Sequence, residues 1–594
     1  MNNIFQIVEQ FEHDFLHTPV EIVDGYTFDQ LETIKENQRY YASKFRSGNT
    51  DEFGYKYFFN IGKSRVKNAA KNIDLDTKDV NIRAKQPKDY YKAWIMRRDI
   101  RRWMKDRNLG VLFNEIAMKT PKYGTYVLKK VAGNEIVRTV DLKNLKCDPS
   151  AQSLKMSGWV IEDHFYTPWE LKQEVNKRGW DSDAINKAIK SFRDFKKENY
   201  VDETCNEQEK GTAQYIHIKE FSGDIPEDTF KEDGDPNKFL LVNYILVSPE
   251  KGTKANTDKE AEKEGLLLFK KEIKEIPYKE CHYDREEGRW LGVGIIEDLR
   301  ESQIMKNEEI NQVMLALKLA NLVLFQTGDE TIARNILTDL VNGDIIKVKS
   351  DLARIDTTNK GIGESNVISQ EIEALANNLA NSFEVTTGES LPSGTPFSLG
   401  MLINQNANKL FDFVRENIGL FLEEVFEDWI IPELSKDLNK EHILELTDKE
   451  EMEWVNERFK SNHLLSKIKD FILNTGRKPT QEEVDMAQQI LSQRMEGKEH
   501  LYFEVPEKFY DFDKSVEVDI TGESMNKQAT LQTLASIMQM VGGNPEMLEH
   551  PAMQKIMDIS GFNDVDFRVA KPQAQQLPMA GQLAGGMPVP QLAQ

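Results

Sequence analysis

Ile295–Ala320 runs without a proline or a glycine. Such a stretch predicts an uninterrupted helix of about 25 residues, roughly 37 Å long at 1.5 Å per residue. A second helix is predicted over Val367–Phe383, where Ile368, Ile372, Leu375, Leu379 and Phe383 recur at spacings of 4, 3, 4 and 4 and Gly388 closes the run. A third, Leu410–Ile431, repeats the pattern through Leu410, Val414, Ile418, Phe421, Val425 and Trp429 until Pro432 stops it. Between the first two lies a small α/β knob: strand Leu322–Gln326, helix Glu330–Leu340, a turn at Asn342-Gly343, and strands Ile345–Val348 and Leu352–Ile355. Between the last two, Thr386–Met401 is small, polar and punctuated by Pro392 and Pro396, which is loop chemistry. A projecting helix pair with apolar stripes cannot cover those stripes within one monomer, so neighbouring copies have to cover them. A closed ring is the simple solution.

The remainder reads as mixed α+β. From Asn2 to Gln38 the pattern suggests short helices. Tyr126–Leu128 and Ile136–Val140 flank Gly133-Asn134 as a hairpin. Further strands are expected at Gly158–Ile161, Tyr215–Phe221, Leu240–Val247 and Leu266–Phe269, with helices at Pro168–Arg178 and Ser182–Lys196. Pro249–Glu264 is nearly all charged and small, an exposed excursion between strands. Asp448–Gln493 reads as a charged peripheral helical segment, followed by strands Leu501–Val505 and Ser515–Ile520 and helices Lys527–Met540 and Pro551–Ile559. From Lys571 the chain is mostly Gln, Pro, Gly, Met and Ala and reads as a disordered tail.

The chain has 594 residues, enough for about three to five folding units. Its 77 Lys and Arg against 99 Asp and Glu give a net charge of −22, which repels nucleic acid except through local basic patches. One such patch is the predicted helix Tyr90–Leu109, with Arg97, Arg98, Arg101, Arg102 and Lys105. It reads either as a solvated face paired to the acidic remainder or as a contact with nucleic acid or an acidic neighbour. Cys147, Cys205 and Cys281 are far apart, with neither zinc spacing nor an even count, which suits a reducing compartment. Glu9, Glu12 and Asp14 fall where a signal peptide would be basic and apolar, and no stretch of about 18 apolar residues predicts a membrane span. The expectation is a cytoplasmic protein, or one assembled in a cytoplasm.

Motifs for catalysis fail on inspection. Gly62-Lys63-Ser64 ends like a phosphate loop, but Tyr57 stands where the first glycine is needed. Gly292-Val293-Gly294 has Glu297 in place of a third glycine, so these glycines are expected to shape the start of the long helix. His13 and His17 lie four apart without an evident third ligand, and Asp511, Asp513, Asp519 and Glu523 are tied to no nucleophile. No catalytic residue, metal ligand or cofactor is assigned. Gly361–Asn408, by contrast, contains no Lys or Arg but has Glu364, Glu371, Glu373, Glu384 and Glu389. That composition suits burial against other subunits, a surface that faces a polyanion without gripping it, or both.

The order of elements resembles that of bacteriophage portal proteins, the rings at one capsid vertex through which DNA enters and leaves. The resemblance rests on Ile276-Pro277-Tyr278; on Gly288-Arg289-Trp290-Leu291-Gly292-Val293-Gly294-Ile295-Ile296-Glu297-Asp298-Leu299 with Gln303 and Asn307; on Thr387-Gly388-Glu389-Ser390-Leu391-Pro392-Ser393-Gly394-Thr395-Pro396; and on Val518-Asp519-Ile520-Thr521-Gly522-Glu523-Ser524. The family plan implies an N-terminal helical arm over 1–65, a wing over 66–290, a first stem helix over 291–321, a clip over 322–362 and a second stem helix over 363–387. A tunnel loop over 388–405, a long helix behind the channel over 406–440, wing strands over 501–522 and a crown over 523–565 follow. Residues 441–500 are a charged helical insertion and 566–594 a tail.

The resemblance implies a dodecamer in the virion, assembled in the host cytoplasm. Its implied partners are the major capsid protein, the terminase large subunit, tail adaptor proteins and double-stranded DNA, with no membrane. Gln326, Asp329, Glu330, Arg334, Asp344, Lys347 and Lys349 would form the clip surface that docks motor and adaptors. Glu384, Thr386, Glu389, Ser390, Ser393, Thr395 and Ser398 would line the channel near the tunnel loop. Conduction would be passive, since neutralising many phosphates binds DNA tightly, and force would come from a separate ATPase. Two rival readings are a metal-dependent hydrolase using the acidic clusters and a helical assembly scaffold without a channel.

Overall fold

The computed structural model of the chain describes residues 4–51, 54–73, 75, 77, 80–86, 89–133, 135–200, 215–231, 234–247, 265–320, 324–327, 352–355, 362–380, 397–436, 464–465, 467–495, 512 and 514–518. Helix and strand are mixed, an α+β arrangement. Two compact units divide it: Met1–Val80, Ile100–Lys436 and Val516–Gly522 form the first, and Asn81–Asp99, Asp437–Ser515 and Glu523–Gln594 the second.

The N-terminal stretch departs from the purely helical expectation. Helix α1 (Ile4–His17) is followed by a hairpin, β1 (Val20–Val23) and β2 (Tyr26–Phe28), before α2 (Gln30–Tyr41). Asp24-Gly25 supplies the turn, with Gly25 at φ +83. Asp29 caps α2 by accepting from Glu32 N at 2.9 Å. Next come the short pair β3 (Thr50–Asp51) and β4 (Gly54–Tyr55), then α3 (Gly62–Ile73), β5 (Val80–Ala84), α4 (Tyr90–Asp106) and α5 (Leu109–Tyr123).

The expected hairpin is present as β6 (Thr125–Lys130) against β7 (Val137–Thr139), with Leu128 opposite Thr139. Then follow β8 (Leu145–Cys147), β9 (Trp159–Tyr166), α6 (Pro168–Arg178), α7 (Ser182–Tyr200), β10 (Ile216–Pro226), α8 (Glu227–Phe230), β11 (Phe239–Val247), β12 (Leu266–Glu272) and β13 (Tyr278–His282). Helix α6 begins on a reciprocal cap in which Thr167 and Glu170 satisfy each other's backbone. An antiparallel sheet in the order β12-β11-β10-β9-β8 forms the centre of this region, and β13-β6-β7 a smaller one. The period of two sorts β10: Phe221 and Ile225 pack against α1 with Trp159 and Ile161, whereas Ile216 and Ile218 pack under α6 and α7 with Leu171, Trp180 and Ile185.

The long helix is interrupted. Instead of one span over Ile295–Ala320, α9 (Ile295–Asp298) ends at Leu299 and α10 (Arg300–Ala320) continues. Leu299 is buried, and its N–H turns back to Ile295 O at 3.1 Å. Beyond it, β14 (Leu324–Thr327) pairs antiparallel with β15 (Leu352–Ile355), and α11 (Ile362–Leu379) returns. The loop expected to reach Met401 is helical from Phe397: α12 spans Phe397–Val425. Gly400 costs that helix about 1 kcal/mol relative to alanine, too little to break 29 residues of it. Nor does Pro432 end the helix. A widened π turn over Phe426–Ile430 absorbs the missing donor, and α13 (Ile431–Leu434) carries on.

The stripe expected on this third helix is buried at Val414, Ile418, Phe421, Val425 and Trp429. Of strand β16 (Lys514–Val518), the part from Val516 runs beside it in the first unit, with Val518 N donating to Glu423 at 3.0 Å and Val516 N to Glu427 at 3.3 Å. In the second unit, α14 (Gln481–Met495) starts where Thr480 N donates to Glu483 at 2.8 Å. Lys92 there pairs with Asp89 at 2.9 Å, and it and Lys514 both lie over the Phe512 ring.

The expected excursion Pro249–Glu264, helix Glu330–Leu340, turn Asn342-Gly343, strands Ile345–Val348 and Leu501–Val505, late helices and tail lie outside the described residues. Among the described residues no helix is long and apolar enough to cross a membrane.

Candidate functional site

Helices α9 and α10 follow a close backbone contact. Gly124 has φ +79, and a Cβ there would fall 2.1 Å from Gly292 O; one on Gly294 would fall 2.6 Å from Gly124 N. The glycines of Gly292-Val293-Gly294 therefore serve a steric purpose, letting the start of α9 lie directly on the turn between α5 and β6. Thr125 Oγ1 accepts from Gly292 N at 2.7 Å, and Tyr283 N donates to Gly124 O at 2.9 Å. Just upstream, buried Arg289 donates to Glu297 at 2.8 Å, pairs with Glu286 at 3.0 Å and lies over the Phe28 ring. Trp290 Nε1 donates to Gln30 Oε1 at 3.0 Å, and Gln30 Nε2 donates to Leu145 O at 2.7 Å. The most distinctive stretch of sequence is thus the clasp between residues 28–30, sheet and helix.

On one side α10 holds residues 57–61 by side-chain amides. Gln303 Oε1 accepts from Ile61 N at 2.9 Å, Asn307 Oδ1 from Phe59 N at 3.0 Å and Asn311 Oδ1 from Tyr57 N at 2.8 Å. Gln303 Nε2 donates to Phe59 O at 2.6 Å and Asn311 Nδ2 to Tyr57 O at 2.9 Å. Four helical residues rise about 6 Å and two extended residues about 6.6 Å, so amides spaced by four can serve alternate residues of a strand-like segment. Gln303 and Asn307 stood out in the sequence only as residues that continue a helix.

On its other side α10 meets α11. Buried Lys306 pairs with Glu373 at 2.8 Å and donates to Ser369 O at 3.1 Å, while Ser365 donates to Glu309 at 3.1 Å. Arg65 of α3 donates to Asn377 at 2.5 Å. Among the described side chains of α11, Ile372 and Ala376 are buried, as is Ala380 just past its end. Of the described residues of the stripe expected from the sequence only Ile372 is inside, and Phe383 lies outside the described residues. Val367, Ile368, Leu375 and Leu379 are 56, 49, 59 and 53 % exposed. The physical reason is that α11 packs through its small residues, which permit a close approach, and leaves its larger ones outward.

The predicted site residues divide as follows. Ser398 belongs to the first turn of α12, not to a loop. Glu384, Thr386, Glu389, Ser390, Ser393 and Thr395 lie outside the described residues, as do Asp329, Glu330, Arg334, Asp344, Lys347 and Lys349; Gln326 is on β14. On the basic helix α4, Arg97 is 6 % exposed and so cannot serve as a surface contact as it stands. Arg98 is half-buried and lies over the Trp94 ring. Arg101, Arg102 and Lys105 are exposed, with Arg102 3.9 Å from Asp106.

Among the described residues, one group has the makeup of a metal site: Glu162, His164 and Glu220, on the face of β9 and β10 opposite α1. Its centre is filled by a lysine. Lys129 Nζ pairs with Glu162 at 2.6 Å and with Glu220, and His164 Nε2 lies 3.0 Å from Glu220. Tyr278 donates to Glu162 at 2.9 Å and Asn243 to Glu220 at 3.0 Å. Burial alone would raise the Glu220 carboxyl, but Lys129 and His164 outweigh it and hold it well below its ordinary value. Burial likewise works against the Lys129 charge, and the two carboxylates more than offset it. The ammonium does here what a cation would do, so this is a structural charge cluster. No family model and no curated protein sequence matches the chain.

Proposed function

We propose that the chain is the subunit of a ring, set at a capsid vertex of a tailed double-stranded DNA phage, that conducts DNA passively during packaging and ejection. The observation that carries this reading is the exposed stripe Val367, Ile368, Leu375 and Leu379 on a helix whose opposite face is already packed. An apolar face of this kind calls for another molecule. The surrounding stretch Gly361–Asn408, with carboxylates and no Lys or Arg, supports a lumen that DNA slides along without being held.

On this reading the major capsid protein surrounds the wing, and terminase and tail adaptors dock in turn at residues 322–362. Glu384 and Glu389 stand near the narrowest part, and the exposed Arg101, Arg102 and Lys105 face capsid protein or packaged DNA. The protein is a conduit, and force is supplied by a separate ATPase. Mass measurement of the purified chain with negative-stain microscopy tests it. Closed rings are expected, and a monomer or an open filament overturns it. The electrostatic part is tested separately: Glu384→Lys with Glu389→Lys should impair packaging, and unimpaired packaging would refute it.

A further inference from the structure

Helix α1 is fixed to the sheet along one side. Ile4, Val8, Phe11 and Phe15 join the cluster of Trp159, Phe221 and Val242, and Glu12 is held between Lys146 of β8 and Lys219 of β10. At 100° per residue those four apolar positions fall within about 60° of one another, and His13 and His17 fall roughly opposite them, one above the other. The histidines therefore project into solvent from a helix that is held against rolling. The His13 side chain is 69 % exposed, and His17 is exposed as well.

The two rings already stand together, with centroids 4.4 Å apart and planes tilted by 53°. An imidazole nitrogen binds a transition ion at about 2.0–2.1 Å, and the ring centroid lies about 1.1 Å behind that nitrogen, so ion and centroid are about 3.2 Å apart. Two such rings at a right angle around one ion have centroids about 4.5 Å apart, and at the tetrahedral angle about 5.2 Å. The observed spacing matches the right-angled arrangement of tetragonal ions. Asp14 Oδ1 lies 3.8 Å from His13 Nδ1, which leaves Nε2 for an ion and sets a carboxylate where it favours a ligating imidazole. A dication over this turn also complements the C-terminal end of α1, where Thr18 N donates to Asp14 O at 3.0 Å.

We propose that His13 and His17 together chelate one divalent ion of the nitrogen-preferring, tetragonal class, Cu2+ before Ni2+. The chain supplies two ligands, and the other positions of the ion are open to water or to a ligand from another molecule. The site is distinct from the group of Glu162, His164 and Glu220, whose centre Lys129 fills. It is also independent of the ring reading, because it needs only the one helix and the sheet that holds it.

Calorimetric titration of the full-length chain with CuCl2, together with electron paramagnetic resonance of the bound ion, tests the proposal. The parent should bind one Cu2+ about tenfold or more tightly than His13→Gln or His17→Gln, because its second imidazole binds within the same molecule. Its spectrum should carry the nitrogen splitting of two coordinated imidazoles. A double variant, Gln10→His with His13→Gln, keeps the number of histidines but sets the pair about 10 Å apart along the helix, too far to share an ion, and should bind like the single variants. Gln10, His13 and His17 are all exposed, so none of these substitutions touches the packing of α1. A loss of less than about tenfold in either single variant overturns the proposal. Parent-like affinity in the double variant, or tighter binding of Zn2+ than of Cu2+, overturns it as well.

Discussion

Replacing Lys129 by methionine keeps the side chain as far as its ε-carbon and removes the charge, leaving Glu162 and Glu220, each 5 % exposed, without their shared cation. At the 2.6 Å separation from Glu162 and an effective dielectric of about 20, the direct attraction is roughly 6 kcal/mol before desolvation. The net loss on removing one partner of a buried ion pair is smaller, about 3–5 kcal/mol. At about 2–4 °C per kcal/mol for a large domain, Lys129→Met should lower the melting temperature of the first unit by roughly 6–20 °C.

The pH dependence separates charge from packing. In the parent the Glu220 carboxyl is held below its ordinary 4.5, so the stability it contributes is present above that value and is lost as pH falls through the lower native one. In the variant the buried acids favour protonation, and the deficit should be largest near neutral pH and shrink towards pH 4.5. Adding Glu162→Gln and Glu220→Gln should recover at least half of it. Thermal unfolding from pH 4.5 to 8 measures all of this. A drop of under about 2 °C, or a deficit independent of pH, would refute the account of the cluster.

Three further outcomes follow from the structure. Gly124→Ala, which forces a Cβ against Gly292 O at φ +79, should cost more than about 2 kcal/mol in thermal denaturation. Asn307→Ala removes the acceptor of Phe59 N and should cost about 1–3 kcal/mol, with faster proteolysis within residues 43–60 than elsewhere; a uniform change in cleavage would count against the amide ladder. Lys122 is pushed down to about 8 from 10.5 by burial, with Lys143 and Lys119 adding repulsion. The unfolded chain binds more protons between those values, so stability should rise with pH across that window relative to Lys122→Met. Chemical denaturation at pH 7, 9 and 10 measures the difference, and a flat difference would contradict it.

Much of the sheet region was legible because its signals are local. Alternation marked β9 to β12, a helix was expected from Pro168, and Gly133 marked the β6–β7 turn. The glycines at 292 and 294 could be read as shaping a helix start, but not as partners of Gly124, which lies far away along the chain. The break at Leu299 was hidden because no residue there is a helix breaker. It falls between the anchorage of α9 on Gly124 and that of α10 on residues 57–61.

By itself the sequence called for long helices over Ile295–Ala320, Val367–Phe383 and Leu410–Ile431, from runs without proline and with apolar residues at helical spacing, and long helices occur at 300–320, 362–379 and 397–425. It also determined that residues 361–408 carry acids without bases. Only the tertiary structure decided which face of α11 is inside. Periodicity reports that an apolar stripe exists, whereas burial depends on the neighbour, and close helix packing selected Ala376 and Ala380 over Leu375 and Leu379. The same holds for the charge cluster, whose members lie 33 and 91 residues from Lys129. No local rule pairs residues at that distance, because the fold has to bring them together before their charges can act.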